Sequence, residues 1–263
     1  MAELGKYNTL KPIKGSPQGI YLDGGDLGEI LLPQRYVPKG MGQEDAISVF
    51  VFTDSEDRIV ATTETPLAVV GQFAALKVVS IHRKVGAFLD WGLSKDLLLP
   101  YREQKTNPQV GDTCVVYIRV DEHSERIIAS ERLNRFTSKY QARYQYEEKV
   151  DLLVIHKTPL GYKAIINDTH IGLLYETDLS EPLEYGQRIV GYVTKVRPDG
   201  NIDLRRDRAG YARVAPLSEQ IFAALKTNRG TLPFDDKSSP EAIRAEFGVS
   251  KKAFKQALGA LYK

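Results

Sequence analysis

Val85-Gly86-Ala87-Phe88-Leu89-Asp90-Trp91-Gly92 reads as a short strand running into a bend, because apolar residues alternate along it and Asp90 and Gly92 bring turn chemistry at its end. Two copies of its surroundings occur elsewhere. They begin at Gly19-Ile20-Tyr21-Leu22-Asp23-Gly24 and at Gly161-Tyr162-Lys163-Ala164-Ile165-Ile166, which places Gly19, Gly86 and Gly161 at offsets of 67 and then 75 residues. Leu31-Leu32-Pro33 returns as Leu98-Leu99-Pro100 and, more loosely, as Leu173-Leu174-Tyr175 at the same offsets. Gly42-Gln43, Gly111-Asp112 and Gly186-Gln187 each open an alternating apolar run, at Ile47–Val51, Cys114–Ile118 and Ile189–Val193. Each run leads through a polar turn to a last strand, at Arg58–Ala61, Arg126–Ala129 and Asn201–Leu204. Landmarks in the same order three times, at so long a period, mark duplicated domains rather than solenoid units.

Each repeat predicts about five short strands with Gly, Asp, Asn or Pro at the bends, the pattern of a small antiparallel barrel. In the second repeat they are Leu76–His82, Ala87–Asp90, Asp96–Leu99, Thr113–Val120 and Arg126–Ser130. Period-two alternation puts half of these side chains inside and leaves the other half for solvent or a ligand. Between the second and third repeats, Glu131–Lys149 holds no Gly or Pro and predicts a helix. It would carry a basic stripe of Arg132, Arg135, Lys139 and Arg143 beside an aromatic stripe of Phe136, Tyr140 and Tyr144. Either the aromatics pack on a barrel and the basic side is a solvated face, or the positive edge extends a nucleic-acid path.

After the third repeat the basic cluster Arg205, Arg206, Arg208 and Arg213 gives way to helical patterns. Pro216-Leu217-Ser218 starts a helix with Ile221 and Leu225 inward, and Gly230–Phe234 reads as a short strand. Ser239 caps a second helix that begins at Pro240 and ends at Gly248; Ser250 caps a third in which Phe254, Leu258 and Leu261 face inward. Helix, short turn and helix in this form resemble the helix-turn-helix of winged-helix domains, with Lys251, Lys252 and Lys255 at the start of the recognition helix and the wing hairpin missing or truncated.

The second repeat as a whole, from Val85-Gly86-Ala87-Phe88-Leu89-Asp90 through Val110-Gly111-Asp112 to Asp121 and Arg126-Ile127-Ile128-Ala129-Ser130, resembles the RNA-binding domain named after ribosomal protein S-one. The resemblance implies a five-stranded oligonucleotide-binding-fold (OB-fold) barrel. Around its second and third strands, aromatics would stack on bases beside an acidic residue and an arginine. Phe88, Asp121 and Arg126 match those roles, while Val85 and Leu99 stand where the first aromatic and a third-strand histidine would be. The first repeat offers Tyr21, Asp54 and Arg58, with Gln18 and Leu32 at the other two places; the third offers Lys163 and Asn201, with Tyr162 one step away. Three such barrels and a winged helix, together with Tyr21-Leu22-Asp23-Gly24-Gly25 and Leu31-Leu32-Pro33-Gln34-Arg35-Tyr36-Val37-Pro38, resemble the bacterial conserved virulence factor B family over nearly the whole chain. That family implies an RNA-binding regulator acting after transcription, without an enzymatic centre.

The expected fold is therefore mainly β: three tandem five-stranded OB-fold barrels at 1–66, 67–134 and 148–212, a helical connector at 135–147, and a small α+β winged-helix-like domain at 213–263. With 42% hydrophobic residues the chain can bury cores, and no run approaches the roughly 20 apolar residues of a membrane-spanning helix. Met1-Ala2-Glu3-Leu4-Gly5 has no secretory pattern, and the single cysteine, Cys114, predicts a buried thiol with no disulfide, so a cytoplasmic monomer is expected.

The net charge of +2 excludes a chain that coats polyanions by charge alone, but Lys and Arg number 6 against 10 Asp and Glu in 1–74. The remainder therefore carries +6, and a polyanion should favour the later segments. The four histidines lack metal or catalytic spacing, and neither a phosphate-cradling loop nor HExxH occurs, so no enzyme, cofactor or metal is expected; a metal-dependent nuclease is the enzymatic alternative. The expected partner is single-stranded RNA, bound by Tyr21, Arg58, Phe88, Trp91, Arg126, Tyr162, Lys163, Arg205, Arg206, Arg208, Lys251, Lys252 and Lys255. Trp91 reads equally as a stacking platform or as a lid on a barrel end. DNA bound through the helix-turn-helix, and a protein-interaction scaffold, are the alternatives.

Overall fold

A computed structural model describes residues 1–42, 45–207, 214–228 and 230–261, with the side chains of 214–216 left aside. Gln43, Arg208, Arg213 and Lys263 thus lie outside the described residues. The chain divides into two compact units, Met1–Phe136 and Thr137–Lys263.

The first unit holds two β-modules. The second of them is a closed barrel of β7 (Phe73–His82), β8 (Gly86–Leu89), β9 (Leu97–Pro100), β10 (Thr113–Val120) and β11 (Ile127–Ser130), hydrogen-bonded in the order β10-β11-β9-β8-β7. The first module has six strands, β1 (Tyr7–Leu10), β2 (Pro12–Ser16), β3 (Gly19–Asp23), β4 (Glu29–Pro33), β5 (Ile47–Thr53) and β6 (Ile59–Thr62), in the order β1-β5-β6-β4-β3-β2. The sixth strand comes from breaking the first one at Lys11: Pro12 has no N–H to give a ladder, so β1 and β2 become successive edge pieces.

The second unit contains a closed barrel of β12 (Lys149–Thr158), β13 (Gly161–Ile166), β14 (His170–Tyr175), β15 (Arg188–Val196) and β16 (Ile202–Arg205), in the order β12-β13-β14-β16-β15. Three helices follow, α1 (Val214–Thr227), α2 (Pro240–Phe247) and α3 (Lys251–Leu261).

The duplication is written in the backbone. The first strand of every module carries a bulge, between Pro12 and Lys14, Val78 and Ser80, and Val154 and His156. Gly19, Gly86 and Gly161 open the second strand at φ of 149°, 139° and 150°, and a Cβ there would lie 2.0–2.2 Å from the carbonyl oxygen of Leu32, Leu99 or Leu174. Only glycine fits such an approach. A single 3₁₀ turn follows the third strand each time, at Gln34–Tyr36, Tyr101–Glu103 and Glu176–Asp178.

One expectation from alternation fails in β5. Val49 and Val51 point into the first module's core, but Phe50 and Phe52 are buried too, in the cluster formed by the second barrel. The outer half of this strand is an interface between modules, which is why Ile-Ser-Val-Phe-Val-Phe-Thr is apolar on both faces.

The connector is not a helix. Leu133–Arg135 makes one 3₁₀ turn, and the chain then runs without regular structure to β12. Its backbone is taken up by tertiary partners: the Ser138 N–H donates to Thr169 O at 2.7 Å and the Glu147 N–H to Val193 O at 2.8 Å. The aromatic stripe is split, with Phe136 stacked on Tyr117 at 4.3 Å and Tyr144 bonded to His170. A pattern alone nucleates poorly, and these contacts outweigh its modest propensity.

In the helical part, Ser239 Oγ accepts from the Ala242 N–H at 3.1 Å, Gly248 closes α2 at φ 65°, and Ser250 Oγ accepts from the Ala253 N–H at 3.2 Å, as the sequence predicts. Two details differ. Leu232 and Phe234 pack against the helices from a loop rather than a strand, and Ala257 is buried where Leu261 is 37% exposed.

Candidate nucleic-acid interface

Strand register defines an equivalent outer row on each module. In the first it runs Lys14, Tyr21, Leu31, Val60; in the second Ser80, Phe88, Leu98, Ile128; in the third His156, Lys163, Leu173, Asp203. Tyr21, Phe88 and Lys163 therefore occupy one structural position, the first two half-buried and the third exposed. Leu32 and Leu99, matched in sequence to a third-strand histidine, point into the cores with no exposure; the outward residues of those strands are their neighbours. Tyr162 alternates inward as well and is 3% exposed, so its ring is core and not a stacking surface.

On the first module Lys14 lies 4.9 Å above the Tyr21 ring, and Arg58 is held by Asp54 at 2.7 Å and Glu56 at 2.8 Å. Burial pushes the Asp54 carboxyl up, but hydrogen bonds from Arg58 outweigh it and leave the group below its usual range. A cleft of about 480 Å³ lies here, lined among others by Leu31, Pro33, Tyr36 and Arg58, with Lys95 of the second module on its far wall. The Lys95 ammonium donates to Thr53 O at 2.7 Å and Asp54 O at 2.6 Å, so it clamps the first module's turn and is not presented to a ligand.

The second module departs most from expectation. Trp91 is 2% exposed; its indole N–H donates to Ala68 O at 2.7 Å and its ring meets Phe50 edge-on at 5.5 Å. It seals the junction with the first module and offers no stacking platform. Arg126 forms an ion pair with Asp57 of the first module, while Asp121 takes the Ser124 hydroxyl and Arg102, each at 2.7 Å. The Ser124 hydrogen bond, aided by Arg102 and opposed by burial, keeps the Asp121 carboxyl below its usual range. Asp121 and Arg126 thus meet only through the backbone, where the Asp121 N–H donates to Arg126 O at 2.8 Å. Two buried carboxylates are equally committed: Glu103 accepts from Ser130 at 2.6 Å, and Glu131 from the Lys105 and Thr106 N–H groups.

The third module gathers polar groups that the sequence reading missed. Arg197 donates to Asp203 Oδ2 at 2.8 Å and to the Tyr175 hydroxyl at 2.6 Å, and that hydroxyl donates to Asp203 Oδ1 at 3.2 Å. Burial and the neighbouring Asp203 raise the Tyr175 phenol above its ordinary value, so it stays a neutral donor. Lys163 and Lys195 flank the trio in register with Leu173 and Asp203, and neither makes an ion pair among the described residues. Tyr175 was visible only as the odd member of the Leu-Leu-Pro landmark; Arg197 lies across the turn from Asn201, where the matched arginine would stand.

The remaining basic residues are mostly engaged. Arg205 pairs with Glu147 and sits 5.5 Å from the Tyr146 ring; Arg206 pairs with Glu181. Lys252 reaches Asp178 at 3.0 Å, Lys255 lies 4.0 Å from Asp236, and Lys251 makes no ion pair among the described residues. Arg244 of α2 donates to Glu176 O at 2.8 Å and Leu179 O at 3.1 Å, which docks the helices on the turn after β14. Among the described residues no group of three or more His, Cys, Asp or Glu is placed to hold a metal, and no helix is long and apolar enough to cross a membrane.

Residues 4–64 match the S1 domain family, and residues 219–263 match the CvfB-like winged helix domain. Conserved virulence factor B of Staphylococcus haemolyticus is 31% identical over 82% of this chain and 74% of its own length. The chain belongs to the conserved virulence factor B family. The uncharacterized protein YitL of Bacillus subtilis is 28% identical over 98% of this chain and 89% of its own. A Streptococcus pneumoniae multidomain protein with nucleic acid binding domains is 22% identical across 98% of this chain and 93% of its own, at a TM-score of 0.44. S1 and winged-helix domains are nucleic-acid-binding types, and the family is built from them rather than from a catalytic scaffold.

Proposed function

We propose that the protein binds single-stranded RNA across the outer face of the third barrel and acts on gene expression after transcription. The supporting observation is the Tyr175, Arg197 and Asp203 trio flanked by Lys163 and Lys195, which make no ion pair among the described residues, on a barrel face of the kind that an OB fold uses for unpaired strands. A half-exposed ring offers a stacking surface, the lysines attract phosphates, and Asp203 fixes the ring and guanidinium in place. The equivalent faces of the first two modules keep Tyr21 and Phe88, and their Arg58 and Arg126 are held by carboxylates as Arg197 is; Lys163 and Lys195, with no ion pair among the described residues, give the third module the larger share.

Duplex DNA read by α3 has less support, since Lys252 near the start of that helix is already paired with Asp178. The test is a polarisation titration of labelled homopolymer RNAs against the full chain and its Lys163→Ala/Tyr175→Ala variant. Loss of one stack and one phosphate contact should weaken binding at least tenfold, stacking alone being worth about 1–3 kcal/mol per base. Equal affinity of variant and wild type defeats the reading. Point variants are needed because deleting residues 1–74 would cut into β7 and strip Phe50 and Phe52 from the second barrel's core.

A further inference from the structure

The non-helical segment at the start of the second unit contains the two most exposed aromatic rings described. Tyr140 is 88% exposed and Tyr146 67%. Beside them Lys139 and Arg143 are exposed and make no ion pair among the described residues, whereas Arg197, Arg205 and Arg206 of the adjoining barrel are all committed to carboxylates.

The backbone under these side chains is held firmly. The Ser138 N–H donates to Thr169 O at 2.7 Å, and the Tyr140 N–H to Ser138 Oγ at 3.1 Å. The Tyr140 carbonyl can only accept, so His170 Nε2 carries the proton of that 3.2 Å contact and Nδ1 accepts from the Tyr144 hydroxyl at 3.0 Å. Ala142 is buried in the barrel's core cluster. One side of Tyr146 is covered by the Arg205 guanidinium at 5.5 Å, which orients the ring while leaving most of it to solvent.

We infer that residues 139–146 are a second single-stranded RNA contact, a strap on the third barrel that stacks bases on Tyr140 and Tyr146 and neutralises phosphates with Lys139 and Arg143. Exposed rings alone would suit a protein partner equally; unpaired cations interleaved with them favour a polyanion whose bases stack. Because the backbone is ordered beforehand, binding does not have to offset the entropy of fixing a loose linker. The inference rests on the RNA-binding reading above but uses different residues, so the two can fail separately.

The experiment compares the full chain with Tyr140→Ala/Tyr146→Ala, with Lys139→Gln/Arg143→Gln and with Lys163→Ala/Tyr175→Ala, using labelled homopolymer RNA of about 16 nucleotides at several salt concentrations. All six positions are exposed or half-buried, so circular dichroism should show unchanged folds. The tyrosine pair is expected to lose tenfold or more in affinity. The cation pair should flatten the slope of log K against log salt by about 1.4, two phosphates at roughly 0.7 each. Unchanged affinity and slope in both strap variants, with binding weakened by Lys163→Ala/Tyr175→Ala, overturns the strap and leaves the barrel face standing. Weakening by the strap variants alone supports the strap and removes the barrel face. A wild-type chain that binds no RNA overturns both.

Discussion

Replacing Trp91 by alanine separates its structural role from any part in binding. The ring is 2% exposed, and burying an aromatic of this kind withdraws about 150–250 Å² of surface, worth roughly 4–6 kcal/mol at about 25 cal/mol per Å². Part is recovered by relaxation and by the alanine methyl, whereas the Ala68 carbonyl loses its 2.7 Å donor at a cost of about 1–3 kcal/mol. A net loss near 4 kcal/mol is expected, inside the roughly 3–5 kcal/mol range of buried Trp-to-Ala changes. At a urea slope of about 2 kcal/mol per M this moves the midpoint of the first unit down by about 2 M.

Urea titration of the Trp91→Ala variant must be followed by circular dichroism, since Trp91 is the only tryptophan. In the wild type the same uniqueness makes indole emission a reporter of this junction, and saturating RNA should leave it unaltered. RNA affinity of the folded variant should stay within about twofold of wild type, against a loss of roughly 5- to 150-fold if the ring stacked on a base. An unmoved midpoint together with weakened RNA binding would refute the reasoning.

Burial, with smaller help from Glu131, pushes the Cys114 thiol up to about 12, so at pH 8 a thiol reagent should label it only as fast as the second barrel opens; immediate labelling of native protein contradicts its placement. The depressed Asp121 carboxyl contributes stability that is present above the ordinary carboxylate range and lost as pH falls through its lower folded value. Asp121→Asn should therefore lower the first unit's melting temperature at pH 7 and narrow the gap from wild type as the pH drops toward 3, measured by calorimetry; a gap that widens toward acid has the wrong sign. Gly86→Ala would drive a methyl to about 2.2 Å from Leu99 O in a backbone region foreign to L-residues, and should cost several kcal/mol and leave the second barrel largely unfolded by circular dichroism, whereas Gly111→Ala, strained but facing open space, should cost less.

Repetition made the fold legible. Three occurrences of Gly19, Gly86 and Gly161 at fixed distance from an apolar triplet report a shared tight approach of backbone to backbone, a local constraint that spacing reveals. Helix caps were equally readable, because Ser239, Gly248 and Ser250 act within a few residues of themselves. Long-range choices were hidden. Nothing near Trp91 in sequence announces that Ala68 and Phe50 will enclose it, and nothing near Arg126 announces Asp57 of another module. The connector misled for the same reason, since its helical spacing is overridden by bonds to Thr169, His170 and Val193. At the proposed face, Lys163 was named by its matching place in the third repeat, whereas Tyr175 and Arg197 come together only when β14 lies beside β16.

Charge counting misleads at the level of segments. Residues 137–214 hold 12 Lys and Arg against 11 Asp and Glu, close to neutral, yet Lys139, Arg143, Lys163 and Lys195 among them make no ion pair among the described residues. The difference lies in pairing. Glu147, Glu181 and Asp203 each hold an arginine, Arg205, Arg206 and Arg197, close to the barrel wall, which removes those charges from the outside field and leaves Lys139, Arg143, Lys163 and Lys195 to act at a distance. In the first module the same arithmetic runs the other way: Arg58 is matched by both Asp54 and Glu56, and Asp57 withdraws Arg126 from its neighbour. Each module thus pairs an arginine with a carboxylate, Arg58 with Asp54, Arg126 with Asp57 and Arg197 with Asp203, and the third differs in carrying Lys163 at the position of Tyr21 and Phe88 with Lys195 nearby, neither in an ion pair among the described residues.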